Sequence, residues 1–463
     1  MPWILLPNGT YQRPLGDSEY ALFSASHSGN GDMFLHLSLR ASANCFSRER
    51  VGIAWALIRR ENPLLMSRVT IVNDEPTLYF APPRELIQDA QATLMFNHKS
   101  KEELITAYMD GARPLSNDIL SLLTISESAT GEYQIFMCAP HFCGDGTTLH
   151  VSTHELIRLV TSSQTNEQLM QKLHQPVEWI EVLPPSLEER LRIPGSQFAQ
   201  AACKINYLQA LNKEFASHVL PRLQRAEKCT GFIEREFSLE KTASILAKCK
   251  AHGVTVNHVL TALATIAWAR CTSQPFDLPM MLYTAASLRG HLIPHHPTTS
   301  DTFLALAYFT ISLPAFPPSG TTGVWHRARL AKKQMQNAVR SPLLPARAVL
   351  SAASRARRIT NPPPTSLPTL SLPGRPEHSK ALMGISLIGD LDRTYRRHEY
   401  GPDVQLLSVG TASRLKPGGF LLLGHSFGKK LVLQLCWDKM GFVDGEIERF
   451  WTQVASEVDE ISS

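Results

Sequence analysis

The chain has 463 residues, more than one ordinary hydrophobic core supports, so two domains of roughly 200 residues each are expected. With 43% hydrophobic and 19% charged residues it has the composition of a soluble globular protein, and 46 Lys+Arg against 41 Asp+Glu leave a net charge of +5 with no dominant basic block. That balance gives no case for nucleic acid as a partner, and no apolar run approaches the ~20 residues that would span a bilayer.

The N-terminal stretch MPWILLPNGTYQRPLG is broken by Pro7 and carries neither a basic n-region nor a small-residue cleavage site, so it does not read as a signal peptide. Eight cysteines lie scattered without C-x-x-C pairs, which argues against a zinc ribbon or a disulfide scaffold and for a reducing, cytoplasmic compartment. The Asn8-Gly9-Thr10 sequon is then unused.

RERVGIAWALIRRENPLL places Val51, Ala54, Trp55 and Ile58 at helical spacing, with Pro63 as the stop and Trp55 in the core. SRVTIV and TLYFA read as short strands. EYQIFMCAP, Glu132 to Pro140, is a strand and GTTLHVSTHELIRLVTS behind it a helix, so residues 141–145 form a loop at a strand-to-helix junction. Thr165 to Arg225 is irregular and reads as a crossover. The second half opens with the strand GFIEREFSL, the helix KTASILAKCKAHG and the apolar, buried helix TVNHVLTALATIAWARC. Strands MLYTAASL and ALAYFTISLPA follow, then the basic helix GVWHRARLAKKQMQNAVR, whose Lys332 and Lys333 read as a solvated face. About 340–378 is Pro- and Ser-rich and is expected to be a long surface loop with at most one short helix. Strands ALMGISLI, QLLSVGTA, GFLLLGHS and KKLVLQLCWD and a final helix from Asp444 close the chain.

Two motifs compete for the chemistry. Gly424-His425-Ser426-Phe427-Gly428 spells G-x-S-x-G, the nucleophile elbow, which requires a strand, a sharp turn and a helix, with the histidine later in the chain. No histidine follows His425, and KKLVLQLCWD alternates as a strand, so Ser426 is not expected to be a nucleophile. The loop HFCGDG has the form H-x-x-x-D-G, with His141, Asp145 and the small Gly144 and Gly146 that permit a tight loop and close approach of a substrate. An imidazole, whose ordinary pKa is about 6.5, can take a proton from an alcohol or amine if its ring is held in place. Asp145 could orient that ring or pair elsewhere. On the six residues alone, the plainer alternative of a helix-capping Asp145 beside a satisfied histidine stays open.

A metal set of His141 with His150 and His154, the latter two at i, i+4, lacks an acidic or thiolate third ligand, and a surface helix is the simpler reading. His291, His295 and His296 in HLIPHH read as a proline-broken loop. No metal is expected.

RPLGDSEYALF, AWALIRRENPLLMSRV, HFCGDG, GVTVNHVLTALATIAWAR, SLRG, GISLIGDLD and SFGKKLVLQLCWD, in this order, resemble the chloramphenicol-acetyltransferase-like superfamily, and within it stand-alone BAHD-type and fungal trichothecene 15-O-acetyltransferase-like enzymes. The resemblance implies an α/β fold of two sandwich domains with a tunnel between them: residues 1–180 with the H-x-x-x-D-G loop, a crossover at 181–225, and 226–463 with the Pro-rich loop. It implies His141 as general base, Asp145 as a structural residue paired with an arginine of the second domain, best matched by Arg289, and Ser386 as an oxyanion contact.

The activity so implied is transfer of an acyl group, most simply acetyl, from acyl-CoA as co-substrate to a hydroxyl or amine of a small secondary metabolite. No permanently bound cofactor is implied, and the expected state is a monomer. Condensation or cyclisation of a carrier-bound or free intermediate, and a non-catalytic binding homologue, are the alternatives. Two departures bear on them. Pro140 stands where peptide-type condensation domains carry a second histidine, and Ser426-Phe427-Gly428-Lys429-Lys430 stands where plant enzymes carry D-F-G-W-G.

Overall fold

The structure, a computed structural model, describes residues 2–128, 131–211, 217–223, 229–318, 320–360 and 381–463. The first half runs β1 (Ile4–Leu5), β2 (Tyr11–Pro14), α1 (Asp17–His27), β3 (Asp32–Arg40), α2 (Arg48–Glu61), β4 (Arg68–Val72), β5 (Glu75–Phe80), α3 (Leu86–Gln91), β6 (Leu94–Asn97), α4 (Lys101–Asp110), β7 (Leu122–Glu127), β8 (Glu132–Pro140) and α5 (Gly146–Val160). Ser47 caps α2 by accepting from Arg50 N at 3.3 Å, and the Val51, Ala54, Trp55, Ile58 stripe is fully buried. A 3₁₀ turn, Pro63–Met66, follows α2 and takes the chain off its axis.

The segment expected to be an irregular crossover is largely helical where described: α6 (Asn166–Leu173), α7 (Trp179–Val182), α8 (Leu187–Arg190) and α9 (Gln197–Leu211). In α9 only Cys203 is buried, and the apolar residues it carries at helical spacing, Phe198, Ile205 and Leu208, are exposed. Residues 212–216 and 224–228 of the crossover lie outside the described residues.

The second half continues with β9 (Thr230–Glu236), α10 (Leu239–Ala251), α11 (Val256–Cys271), β10 (Met280–Ser287), β11 (Leu306–Leu313), α12 (Gly320–Val339), α13 (Leu344–Thr360), β12 (Gly384–Asp390), β13 (Gln405–Ser413), β14 (Phe420–Phe427), β15 (Lys430–Asp438) and α14 (Glu446–Ser462). Helix α11, buried nearly all round, is the spine of this half, with α12 and α14 beside it. Lys332 is not idle on α12: its ammonium donates to Gly253 O at 2.6 Å, beyond the end of α10. The loop expected over about 340–378 is helical from Leu344 to Thr360. Pro345 sits in the first turn, where a missing N–H costs nothing, and the buried face is made of alanines (Ala346, Ala352, Ala356), which give little hydropathy signal. Residues 361–378 of that loop lie outside the described residues.

Three sheets result. An antiparallel one has the order β1-β2-β5-β4, a second β13-β3-β8-β7-β6, and a third β11-β10-β12-β14-β15-β9, in which β12 runs parallel to both neighbours. The β13 strand leaves the third sheet's half of the chain and pairs antiparallel with β3, Gly410 opposite His36, so the two larger sheets share a continuous backbone connection. No helix of the described residues is long and apolar enough to cross a membrane.

Among the described residues three buried histidines have one ring nitrogen unpartnered: His36 Nδ1, His150 Nε2 and His425 Nδ1. Burial, with Lys101 nearby, pushes His36 down to about 4; burial likewise brings His425 to about 4, and burial with His425 nearby brings His150 to about 3. Since each folded value lies below that of a free imidazole, unfolding takes up protons below pH ~6.5. Stability is therefore whole above that pH and falls as pH drops toward about 4 for His36 and His425 and about 3 for His150. Urea unfolding at pH 7, 6 and 5 is expected to show this decline, and His36→Gln to flatten it by roughly 1.4 kcal/mol per pH unit. An unchanged slope in that variant would show that His36 titrates alike in the folded and unfolded chains.

Candidate active site

The loop after β8 is built by its neighbours in sequence. β8 is a central strand of the second sheet, buried from Tyr133 on, and ends at Pro140, whose carbonyl accepts from Cys143 N at 3.0 Å to close a turn. Phe142 and Cys143 point into a core shared with Phe23 and Phe303, the Phe23 and Phe142 rings meeting edge to face at 5.4 Å. His141, ahead of these two anchors, is left half-buried.

The His141 Nδ1 lies 2.9 Å from Gly144 O. A carbonyl only accepts, so Nδ1 carries the proton and Nε2 holds the lone pair. Gly144 is required by space: a Cβ there would come 2.5 Å from Thr148 Oγ1. At Gly146 a Cβ would meet Ile388 Cδ1 at 3.4 Å, which shows how close β12 comes to the start of α5.

Asp145 does not touch the His141 ring. It is 1% exposed and caps α5, Oδ1 accepting from Thr148 N at 3.3 Å. Its Oδ2 accepts from Arg289 Nη1 at 2.6 Å and from Ala305 N at 3.3 Å. Arg289, in a 3₁₀ turn after β10, also donates to Phe303 O at 3.1 Å and Asp301 O at 3.3 Å. Helix cap and ion pair, alternatives on the sequence, are one carboxylate. Behind it a cavity of about 790 Å³ opens between Asn62, Thr148, Glu155, Arg289 and Thr302.

Ser386 lies on β12, opposite Leu423 of β14, and a bulge follows between Leu387 and Gly389. Ser386 shares a face with Gly384, and Ile388, the residue beside Gly146, stands two positions further on, at the bulge. Gly384 pairs with Tyr283 and Ala285 with Tyr308, which puts Tyr308 of β11 on the same face. Tyr308, which reading the sequence did not single out, thus lies on the face that carries Ser386. Its phenol is raised by burial; Arg355, 4.9 Å over the ring, opposes that shift and Asp145 adds to it.

The other motifs resolve differently. α5 is not a surface helix: His150 and His154 are 1% and 3% exposed, because residues 391–400 close over it. His150 Nδ1 pairs with Tyr395 OH at 2.9 Å; His154 Nε2 accepts from Arg396 at 3.0 Å, so its Nδ1 donates to Tyr400 OH at 2.6 Å. His291 ends the 3₁₀ turn that Arg289 begins, and His295 and His296 bond Thr299 and Thr298 in the loop beyond it. Among the described residues no group of three or more His, Cys, Asp or Glu could hold a metal. Ser426 is followed by a two-residue turn, Gly428 and Lys429 both at positive φ, and then by β15, not by a helix. Its Oγ is 3.4 Å from Asp390 Oδ1, while His425 points to the opposite face and donates from Nε2 to Val409 O at 3.1 Å.

No protein-family model and no curated protein sequence matches the chain. Solved structures do. TRI3 trichothecene 15-O-acetyltransferase from Fusarium sporotrichioides is similar with a TM-score of 0.80 at 14% identity, over 100% of this chain and 97% of that one. The condensation domain from Monacolin K polyketide synthase MokA gives 0.63 at 12%, over 100% and 98%, and the epimerization domain from the third module of tyrocidine synthetase B gives 0.61 at 12%, over 97% of both. The fold is that of the chloramphenicol-acetyltransferase-like acyltransferases and condensation domains.

Removing Arg289 would strand a buried carboxylate on two backbone N–H groups. Arg289→Met is therefore expected to cost about 3–5 kcal/mol in urea unfolding, and Asp145→Asn added to it to restore most of that loss. A single-variant loss below about 1 kcal/mol would mean the pair is solvated.

Proposed function

From the fold shared with acyltransferases and condensation domains, we propose that the protein transfers an acyl group from a thioester, acyl-CoA in the simplest case, to a hydroxyl of a small metabolite, with His141 as general base. The observation that carries this reading is the Nδ1 contact to Gly144 O. It fixes the tautomer and leaves Nε2 as the basic atom on the half-buried side of the ring.

Nε2 takes the acceptor's proton as the acceptor oxygen bonds to the thioester carbon. The tetrahedral oxyanion then collapses, the C–S bond breaks, and the thiolate recovers the proton from Nε2. Ser386, on the strand whose Ile388 reaches Gly146, is assigned the hydrogen bond to the oxyanion. Asp145 and Arg289 hold the loop and take no proton. Positioning, one proton transfer and oxyanion stabilisation suffice, because a thioester is already activated.

Condensation or cyclisation of a carrier-bound intermediate is the second reading, favoured by the likeness to condensation and epimerization domains. Acetyl-CoA consumption, followed through the free thiol with and without candidate alcohols, separates the two.

His141→Ala is expected to lower turnover by about 10²-fold or more while the protein stays folded. Retained acyl transfer would overturn the assignment. Ser426→Ala is expected to leave the rate within about twofold, since its hydroxyl has no histidine on its face of β14; a loss on the His141 scale would reopen a serine mechanism.

A further inference from the structure

One face of the third sheet is buried in the core around α11, through Leu282 of β10, Ile311 of β11, Ile385 of β12 and Leu422 of β14. Ser386 lies on the other face, which looks toward the first half of the chain. β10 and β12 run parallel with Tyr283 beside Gly384 and Thr284 beside Ile385, so Ala285 stands beside Ser386. Tyr308 is opposite Ala285, and Leu423 opposite Ser386. Tyr308, Ala285, Ser386 and Leu423 therefore form one row across four strands, with their side chains on one face.

Three of the four positions around Ser386 are filled. Leu423 is 7% exposed and shares a cluster with Phe34, Leu104 and Phe136 of the first half. Along β12, a Cβ on Gly384 would meet Leu421 Cδ1 at 3.0 Å, so Leu421 leans over that position. Ile388 lies beside Gly146 and packs against the first-half core that includes Leu149. The fourth neighbour differs. Ala285 is only half-buried although its strand has a partner on either side, and Ala285, Ser386 and Tyr308 belong to none of the hydrophobic clusters of the described residues. Across the row the space over Ala285 is bounded by Tyr308, whose ring Arg355 covers from 4.9 Å. From Ser386 to Tyr308 is two strand spacings, about 9.6 Å.

A thioester whose oxygen turns to Ser386 has its carbon chain one bond from the same carbonyl carbon. Its sulfur arm and the incoming acceptor both have to reach solvent, whereas the chain ends inside the protein. We propose that the space over Ala285 is the seat of the transferred acyl group, with Ala285 as its floor and the Tyr308 ring as its far wall, and that this group is a short hydrocarbon chain longer than acetyl. The inference rests on the acyl-transfer reading and names its donor class. An acetyl methyl would leave most of the span to Tyr308 in water, while a longer chain covers the alanine and the body of the ring.

Calorimetric titration with acetyl-CoA, hexanoyl-CoA and decanoyl-CoA reads the seat without an acceptor. Hexanoyl-CoA is expected to bind about tenfold or more tightly than acetyl-CoA, the scale on which an apolar pocket discriminates added methylenes. Ala285→Phe, whose ring would occupy the seat, is expected to bring these two affinities within about twofold of each other. Tyr308→Ala, which removes the far wall, is expected to make decanoyl-CoA the tighter ligand where the wild-type protein favours hexanoyl-CoA. Each result is a ratio within one protein, so a general loss of stability cancels, and the two substitutions move chain-length preference in opposite directions. Hexanoyl-CoA bound no better than acetyl-CoA by the wild-type protein, or an unchanged ratio in Ala285→Phe, overturns the seat while the acyl-CoA reading stands. Absence of binding by coenzyme A and all three thioesters overturns that reading and the seat with it.

Discussion

A single buried carboxylate organises the centre of the molecule. Asp145 lies out of water, where an unpaired charge would be prohibitive, and its donors come from three separate places: the first turn of its own helix, the backbone just before β11, and the arginine after β10. One charge thereby sets where α5 begins, how the long β10–β11 connection folds back, and how the two halves face each other. His141 inherits its position from this arrangement, since Phe142 and Cys143 fix the intervening backbone and Gly144 supplies the ring's hydrogen-bond acceptor. The proposed base is thus held by its own loop, and the loop by the ion pair of Asp145 with Arg289.

The halves are tied a second time through β13. A strand drawn from between β12 and β14 but paired with β3 cannot leave without breaking a ladder, and side chains reinforce it. His425 reaches Val409 O, Gln434 approaches Thr411 N, and Lys101 of the first half pairs with Glu234 of the second. Asn62 accepts from Ser300 and Thr302 on the far side of Asp145. The His141 loop therefore has ties between the two halves on both sides of it.

This division explains which parts could be read from the sequence. Elements with a strong period or continuous apolar character, such as α2 around Trp55, α11, β8 and β14, were visible because burial imposes the pattern. α9 and α13 were not, one burying a single cysteine and the other a row of alanines. The H-x-x-x-D-G loop is local and therefore legible. Arg289 came from resemblance alone, because an ion pair spanning 144 positions leaves no local trace. The place of Tyr308 under Arg355 depends on strand register and helix placement, which a single sequence does not give.

The imidazoles near the junction of the halves show why composition alone identifies no base. His36, His150 and His425 are sealed from water, each with one bonded nitrogen and one that meets nothing, so adding a proton would create a buried charge without an acceptor. They hold the neutral form and serve packing and register. His141 has the same one-bond arrangement with the opposite consequence: its Nδ1 is satisfied by the loop, but its ring is only half-buried, so an imidazolium formed at Nε2 can be solvated or paired with the charge developing on a reacting oxygen. The proposed base thus differs from the structural histidines in the exposure of its ring, which the turn at Pro140 and the buried Phe142 and Cys143 leave half-buried.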